Sequence, residues 1–505
     1  MATEIRYDDN RVWDLLCSGR TKGVFQMESP LCQRWIRKIK PRNIWELAAV
    51  IALIRPGAID GVNDYIAYKE GSKDFISFGH PVIDEVLSNT HHTMYLQETL
   101  MLLGDRLAWS HLPYLDRCTM VDKLRKGVGK KDQAKLNAIG KEFVKGCIQN
   151  KVDANIADRL FQMIKDCGRY LFNLSHAISY AFVGYEMAYQ KVYYPDKFYA
   201  VALSYSQEKI DPEEDIRDLI QEMRLFGIEI QPPNINCRNA EFRIESSTSI
   251  RYGLSHIKFF GDNYARKLDK LPPIKHWQHM ILAGYTKTYG FEWRANTMRC
   301  LIKAGALSDI GLPRHQLLTL ANLFDELTPR EITMLVEHFD GSTEPYEIAD
   351  FVRKHVVANV AANRSKKLTD ILRLFEAEFA KKTHPAFIEE CEMESLGLVL
   401  TASSLDAVGI IAKHTCADCP EDSPVNAERE ILVKIKDVRF KKTKKGDPMA
   451  KVDVFDNSGY INHVCVFSEM LEKYQEELRK NCVFLMTVCK GNYGGWFVKH
   501  MQSIS

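Results

Sequence analysis

The first two hundred residues place apolar side chains at helical spacing. The stretch IWELAAVIALIR (44–55) is apolar almost throughout and reads as a buried helix that stops at Arg55-Pro56-Gly57. HPVIDEVL (80–87), TMYLQETLMLLGDRLAW (93–109), QAKLNAIGKEFVKGCI (133–148) and NIADRLFQMIKDCGRY (155–170) continue the helical series. An aromatic stretch, FNLSHAISYAFVGYEMAYQKVYYPDKFYAVALS (172–204), reads as a helix stopped by Pro195. Its Tyr185, Tyr189 and Tyr193 fall at i, i+4 and i+8 on one face. That spacing favours a core stripe over a base-stacking surface.

Beyond residue 206 the pattern changes. Pro232-Pro233 breaks the chain, and FRI followed by SIRYGL reads as a short hairpin. IKFFGDNYARKLDKL (257–271) and NTMRCLIKAGALSDIGLPRHQLL (296–318) each set a glycine-bearing turn beside a helix. A helix–hairpin–helix module has this layout, and its hairpin glycine presents backbone N–H groups to a phosphate. Residues 319–390 are charged and helical in pattern, and RKHVVANVAANRSKKLTDILRLFEAEF is amphipathic. From 428 the period becomes two: EILVKIKDVRF, MAKVDVFD, YINHVCVF, CVFLMTVCK and Trp496-Phe497-Val498 read as strands, separated by KKGDP and DNSG turns. The helix SEMLEKYQEELRK precedes the fourth strand. Five short strands with a helix between the third and fourth fit an OB-fold. The expected fold class is multidomain α+β. It has a mostly helical first region (1–205), a helix–hairpin–helix region (206–320), a helical linker region (321–427) and a C-terminal OB-fold β-barrel (428–505).

Composition narrows the partners. The 505 residues are 46% hydrophobic and 27% charged, with a formal net charge of +2. That balance excludes a bulk polycation, so any nucleic-acid surface must be local. The start, MATEIRYDDNRVW, has no apolar segment of the kind a secretory signal needs, and no apolar run approaches a membrane span. Thirteen scattered cysteines fit a reducing cytoplasm. The one tight pair, Cys416-Ala-Asp-Cys419, reads as a reduced surface loop rather than a zinc site. The first OB hairpin carries Lys441, Lys442, Lys444 and Lys445 beside Phe440. Cations with an aromatic suit single-stranded nucleic acid, and equally suit a hairpin that lysines keep soluble.

The densest charge near glycine is DKLRKGVGKK (122–131). Three readings stand: a solvated loop, a phosphate cradle built from glycine backbone and flanking cations, and a duplex phosphate contact. No G-x-x-x-x-G-K-[ST] loop occurs in the chain.

Taken in order, the motifs resemble those of the C-family bacterial and phage replicative DNA polymerases, the DNA polymerase III alpha subunits. Thr21-Lys-Gly-Val-Phe-Gln-Met-Glu-Ser29 is similar to T-x-x-V-F-Q-L-E-S, and Leu53-Ile-Arg-Pro-Gly57 to A-L-x-R-P-G. Gln97-Glu98 with Met101 resembles Y-Q-E-x-V-M, and Leu124-Arg-Lys-Gly-Val-Gly-Lys-Lys131 resembles L-R-R-A-M-G-K-K. Phe172-Asn-Leu-Ser-His-Ala-Ile-Ser-Tyr-Ala181 is similar to F-N-K-S-H-A-x-x-Y-A. Pro232-Pro233, Leu301-Ile-Lys-Ala-Gly-Ala306 and Lys442-Thr-Lys-Lys-Gly446 follow in the family's order.

The resemblance implies that residues 1–205 are fingers that bind the incoming dNTP. Arg125, Lys126, Lys130 and Lys131 would surround its triphosphate or the nearby template backbone, and Arg55, Asn173, Ser175 and His176 would complete the wall. The structural alternatives are a His176 that caps a helix and an Arg55 that pairs a carboxylate. Lys258, Gly261, Lys303 and Gly305 would contact duplex DNA, and Phe440, Lys441, Lys442, Lys444 and Lys445 the single strand. The chain departs from the pattern at Leu174 (family Lys), Lys126 (family Arg) and Gly127-Val128 (family Ala-Met). Its first hairpin reads Lys258-Phe-Phe-Gly261 where the family has K-G-V-G. Leu372-Arg-Leu-Phe375 only echoes a Q-L-x-L-F clamp peptide.

The family's palm aspartates, in P-D-x-D-x-D-F-type and D-F-L-G-L-type segments, have no counterpart here, and Asp8, Asp9 and Asp14 do not fit. The expectation is the C-terminal half of a split polymerase, without catalytic residues of its own and inactive alone. Its partners would be an N-terminal half with palm and thumb, primer–template DNA and a sliding clamp, with Mg2+ held mainly by the palm half. It would involve no membrane and act in the cytoplasm of a bacterium or a phage-infected host. The alternatives are a non-catalytic DNA-binding accessory protein of polymerase descent and a module that binds only single strands.

Overall fold

The computed structural model describes residues 5–55, 59–129, 133–167, 171–265, 267–288, 295–339, 345–401, 405, 408–420, 423–456, 458–492 and 494–504. The chain forms two compact units, Met1–Tyr194 and Pro195–Ser505.

The first unit is helical: α1 (Asn10–Ser18), α2 (Pro30–Ile39), α3 (Ile44–Leu53), α4 (Val62–Lys69), α5 (Pro81–Ser88), α6 (Gln97–Leu103), α7 (Tyr114–Gly129), α8 (Gln133–Gln149), α9 (Ala154–Cys167) and α10 (Leu174–Tyr193). Helix α3 is the apolar segment expected from its sequence, buried from Leu47 to Leu53. Helix α10 packs along α3 and α1, burying Ala177, Ala181, Gly184, Tyr185, Ala188 and Tyr189. The tyrosine stripe is core. Tyr185 is fully buried beside Trp13, with ring centroids 4.7 Å apart, and its hydroxyl donates to the Arg6 carbonyl.

Two expected helices differ. The segment 93–109 begins its helix only at Gln97, because residues 95–97 pair with the backbone of Phe172 instead. It then widens into a π turn, Gly104–Ala108, closed by Trp109 N–H to the Gly104 carbonyl. The aromatic stretch 172–204 is two helices, since Pro195 opens a new one at its first position, where a missing N–H costs nothing.

The second unit opens with α11 (Pro195–Ser204) and α12 (Pro212–Arg224) and a small sheet of β1 (Glu229–Gln231), β2 (Arg243–Ser246) and β3 (Ser249–Arg251) in the order β1-β3-β2. The hairpin read from FRI…SIRYGL is β2–β3, and β1 adds parallel to β3. Helices α13 (Gly261–Ala265), α14 (Trp277–Gly284), α15 (Ala295–Lys303), α16 (Arg314–Asp325), α17 (Pro329–His338), α18 (Pro345–His355), α19 (Ala362–Phe379) and α20 (Pro385–Leu396) follow. The amphipathic α19 buries Leu368, Leu372 and Phe375.

The C-terminal barrel consists of β4 (Glu428–Lys442), β5 (Pro448–Phe455), β6 (Tyr460–Phe467), β7 (Val483–Lys490) and β8 (Trp496–Ile504), with α21 (Ser468–Tyr474) between β6 and β7. It closes in the order β4-β5-β6-β8-β7, the OB-fold arrangement. Alternate side chains such as Ile431, Val433, Ile435, Val452, Val454, Val464 and Val466 fill it. The Cys416–Cys419 pair is not a surface loop. Both thiols are buried against the barrel core, and burial pushes Cys416 well above its ordinary pKa and Cys419 up to about 12. Among the described residues, no helix is long and apolar enough to cross a membrane.

Gly146 of α8 lies against the π turn, where an added Cβ would collide with the Ala108 carbonyl oxygen. Backbone on both sides leaves no flexible atom to yield. Gly146→Ala is expected to destabilise the chain by about 2 kcal/mol, read as a lowered denaturant midpoint.

Candidate nucleotide and nucleic-acid interface

The stretch 122–131 is helix rather than loop as far as residue 129. Arg125 and Lys126 sit on α7, and Gly127 is a buried interior position against Ile139. Inside a helix the peptide N–H groups are committed to carbonyls four residues back, so the glycine backbone does not form a phosphate cradle. Lys130 and Lys131 lie outside the described residues.

The cations of α7 are displayed by side chains alone. Arg125 donates to Asp122 at 2.8 Å and Lys126 pairs with the other Asp122 oxygen at 2.6 Å. These are i,i+3 and i,i+4 neighbours on one helix face, a relation legible in the spacing. Lys126 and Arg125 hold the Asp122 carboxyl below the ordinary carboxylate range.

A second group gathers at the N-terminus of α10. Asn173 caps the helix by accepting from His176 N–H at 2.9 Å. Its amide donates to Glu98 Oε1 at 3.0 Å, and Leu174 N–H donates to Glu98 Oε2 at 2.9 Å. The Ser175 hydroxyl donates to Asn173 Oδ1 at 2.7 Å. Asn173, not His176, is therefore the cap, because its short side chain reaches the first-turn N–H. The His176 ring is exposed and packs on Tyr180, with centroids 3.9 Å apart. Arg55 is exposed with its guanidinium carbon 4.4 Å from the Phe172 ring centroid, and among the described residues no carboxylate pairs with it. Arg55, Asn173, Ser175 and His176 thus come together around α10. Among the described residues no contact joins them to Arg125 or Lys126. Glu98 and Phe172 were not singled out from the sequence as site residues. Glu98 lies 75 positions from Asn173, and only folding reveals the pair.

In the second unit the two hairpins are built differently. Lys258 pairs with Glu213 at 2.9 Å. Gly261 has a φ of +55° and open space on the side where a Cβ would lie. At the second hairpin Lys303 pairs with Glu394 at 2.6 Å. Gly305, at φ +80°, has the Arg314 guanidinium where a side chain would be. Gly305 is thus required to seat Arg314, whose partner is the buried Glu392 at 2.7 Å. The clamp-peptide echo is closed, since Leu372 and Phe375 are buried in the helical core.

The β4–β5 hairpin carries a cluster of exposed charge. Phe440 is 56% exposed, and Lys441, Lys442, Lys444 and Lys445 are exposed. Among the described residues none of the four lysines has an ion-pair partner. The turn is held by Thr443 N–H to the Asp447 carbonyl at 2.8 Å and by Gly446 at φ +95°.

The α7 pairing carries a pH sign. Because the folded state depresses the Asp122 pKa, the pairing supports α7 fully above the ordinary carboxylate value and is lost as pH falls through the depressed one. A carboxyl-resolved NMR titration is expected to show Asp122 titrating low, and R125Q with K126Q to return it to the ordinary range.

With this geometry in view, comparison with known proteins is specific. Residues 1–151 match the bacterial DNA polymerase III alpha subunit finger domain, and residues 227–317 match the helix-hairpin-helix motif. The chain is 29% identical over 490 residues to a DNA polymerase III subunit alpha of Aquifex aeolicus, covering 96% of this chain and 38% of that protein. Against the Halalkalibacterium halodurans DNA polymerase III subunit alpha it is 30% identical over 311 residues, 61% of this chain and 26% of the other. Against that of Bacillus subtilis it is 26% identical over 484 residues, 95% of this chain and 40% of the other. The long matches span about two fifths of the relatives' length. The α7 group and Arg55 thus lie within the match to the bacterial DNA polymerase III alpha subunit finger domain, the α10 cap lies beyond its end, and the chain as a whole is similar to those subunits over nearly its entire length.

Proposed function

We propose that the chain is the nucleotide- and DNA-binding part of a replicative DNA polymerase that adds dNTPs to a primer under template direction. The observation that carries this reading is the finger-domain match over residues 1–151, with Arg125, Lys126 and Arg55 on the surface of that domain. A triphosphate is polyanionic, and phosphoryl transfer depends on positioning and electrostatic stabilisation. Exposed pairs such as those at Asp122 are worth little, so a triphosphate can take both cations from that carboxylate. Arg55, exposed over the Phe172 ring, offers planar donors to a second phosphate. Lys130 and Lys131, which lie outside the described residues, are proposed to contact the same triphosphate or the nearby template backbone.

The division into fingers (1–205), duplex-binding region (206–320), helical linker (321–427) and OB-fold (428–505) belongs to this proposal. So do the contacts of Lys258, Gly261, Lys303 and Gly305 with duplex, and of Phe440 and the hairpin lysines with the single strand.

The Mg2+ of such polymerases does not fit the described residues, among which no group of three or more His, Cys, Asp or Glu side chains is arranged to hold a metal. We propose that the metal-bound step rests on palm carboxylates carried by a separate N-terminal polymerase half. Primer–template DNA and a sliding clamp complete the set of partners, in the cytoplasm of a bacterium or a phage-infected host.

The test is primer extension with Mg2+ and dNTPs, by this chain alone and with a palm-bearing polypeptide from the same source. Extension is expected only in the mixture, and Arg125→Ala is expected to abolish it while leaving DNA binding nearly intact. Extension by the chain alone would overturn the two-chain reading. No extension in either arm, with DNA binding retained, would make the chain a non-catalytic accessory protein.

Neutralising Lys441, Lys442, Lys444 and Lys445 together is expected to weaken single-strand binding and flatten its salt dependence, because each phosphate contact releases counterions. An unchanged slope would remove the hairpin from the DNA interface.

A further inference from the structure

One residue of the first hairpin stands against ordinary backbone chemistry. Phe259 has a φ of +62°, a conformation rare for any bulky side chain. Its ring is 69% exposed. A single exposed apolar side chain is unremarkable by itself, but this one sits on a positive-φ backbone that hydrogen bonds at three successive residues hold in place. The buried Thr297 hydroxyl donates to the Phe259 carbonyl at 3.0 Å. Lys258 N–H donates to the Ser395 carbonyl at 3.1 Å, and Phe260 N–H to the Ile257 carbonyl at 3.1 Å. Phe260 and Ile257 are buried. The backbone of the tip is thus pinned by hydrogen bonds, with the aromatic ring left in solvent. Strain that the surroundings over-determine is a mark of function.

We propose that Phe259 is a wedge against duplex DNA, its ring packing on a base step or deoxyribose beside the phosphate that the hairpin approaches. The inference rests on the reading of this chain as a DNA-binding polymerase part. The hairpin lies within the helix-hairpin-helix match. Where the resembling family has glycine, and hence only backbone to offer, this chain presents a rigid aromatic. Stacking is indifferent to sequence, since every base has a π-face, and apolar wedges partly unstack the step they enter. The neighbouring Lys258 is already engaged by Glu213, so the ring, not a new charge, distinguishes this hairpin.

The test uses the full chain and a labelled duplex containing 2-aminopurine, with Phe259→Gly and Phe259→Trp. Phe259→Gly removes the strain and is expected to leave the melting temperature unchanged or raised. Its duplex affinity should fall about tenfold, the size of one lost stacking contact, with an unchanged salt slope and no 2-aminopurine signal. Phe259→Trp should keep both affinity and signal. Equal affinity and signal for wild type and Phe259→Gly would overturn the wedge while leaving the DNA-binding reading intact, and would point to a protein partner for the ring. Failure of the wild type itself to bind duplex would overturn both.

Discussion

The N-terminus of α10 is the point on which the first unit depends. A helix start leaves donors unsatisfied and carries partial positive charge. Here Asn173 takes one N–H, and the Glu98 carboxylate takes Leu174 N–H and the Asn173 amide. Glu98 lies in the first turn of α6, so this contact joins two helix starts far apart in sequence. Backbone bonds between Tyr95, Gln97 and Phe172 continue the joint. From it α10 runs along α3, with alanines and a glycine on its buried face. The same joint sets Phe172 under Arg55 and turns His176 outward.

The second unit is organised by buried carboxylates on α20. Glu392, fully buried, accepts from Arg314 of α16 and from the backbone of Leu400 and Thr401. Glu389 pairs at 2.5 Å with Lys434 of β4, and both side chains are at least nine-tenths buried. Such pairs add little net stability relative to apolar packing, but losing one partner strands a charge and costs about 3–5 kcal/mol. The Glu389–Lys434 pair ties α20 to the barrel strand β4, and the Glu392–Arg314 pair ties it to α16.

The second unit divides its cations between paired and unpaired positions. Lys258, Lys303, Arg314 and Lys434 each have a carboxylate. Among the described residues Lys441, Lys442, Lys444 and Lys445 have none, and they sit on one exposed hairpin.

Much of the architecture was legible from local pattern. The apolar run of α3, the period-two strands of the barrel and the glycine-bearing turns each follow from short-range sterics and burial, which act within a few residues. The pairing of Asp122 with Arg125 and Lys126 is similarly local, although the glycines beside it suggested a loop; the helix won because Gly127 packs against Ile139. By itself the sequence determined the helical first region, the helix–hairpin–helix layout, the five strands and the order of polymerase-like motifs. Only the tertiary structure decided which cations are free, that Asn173 caps while Arg55 lies on Phe172, that Gly305 makes room for Arg314, and that Cys416 and Cys419 are core. Those outcomes depend on which side chains meet across tens or hundreds of residues, and neither spacing nor composition carries that information.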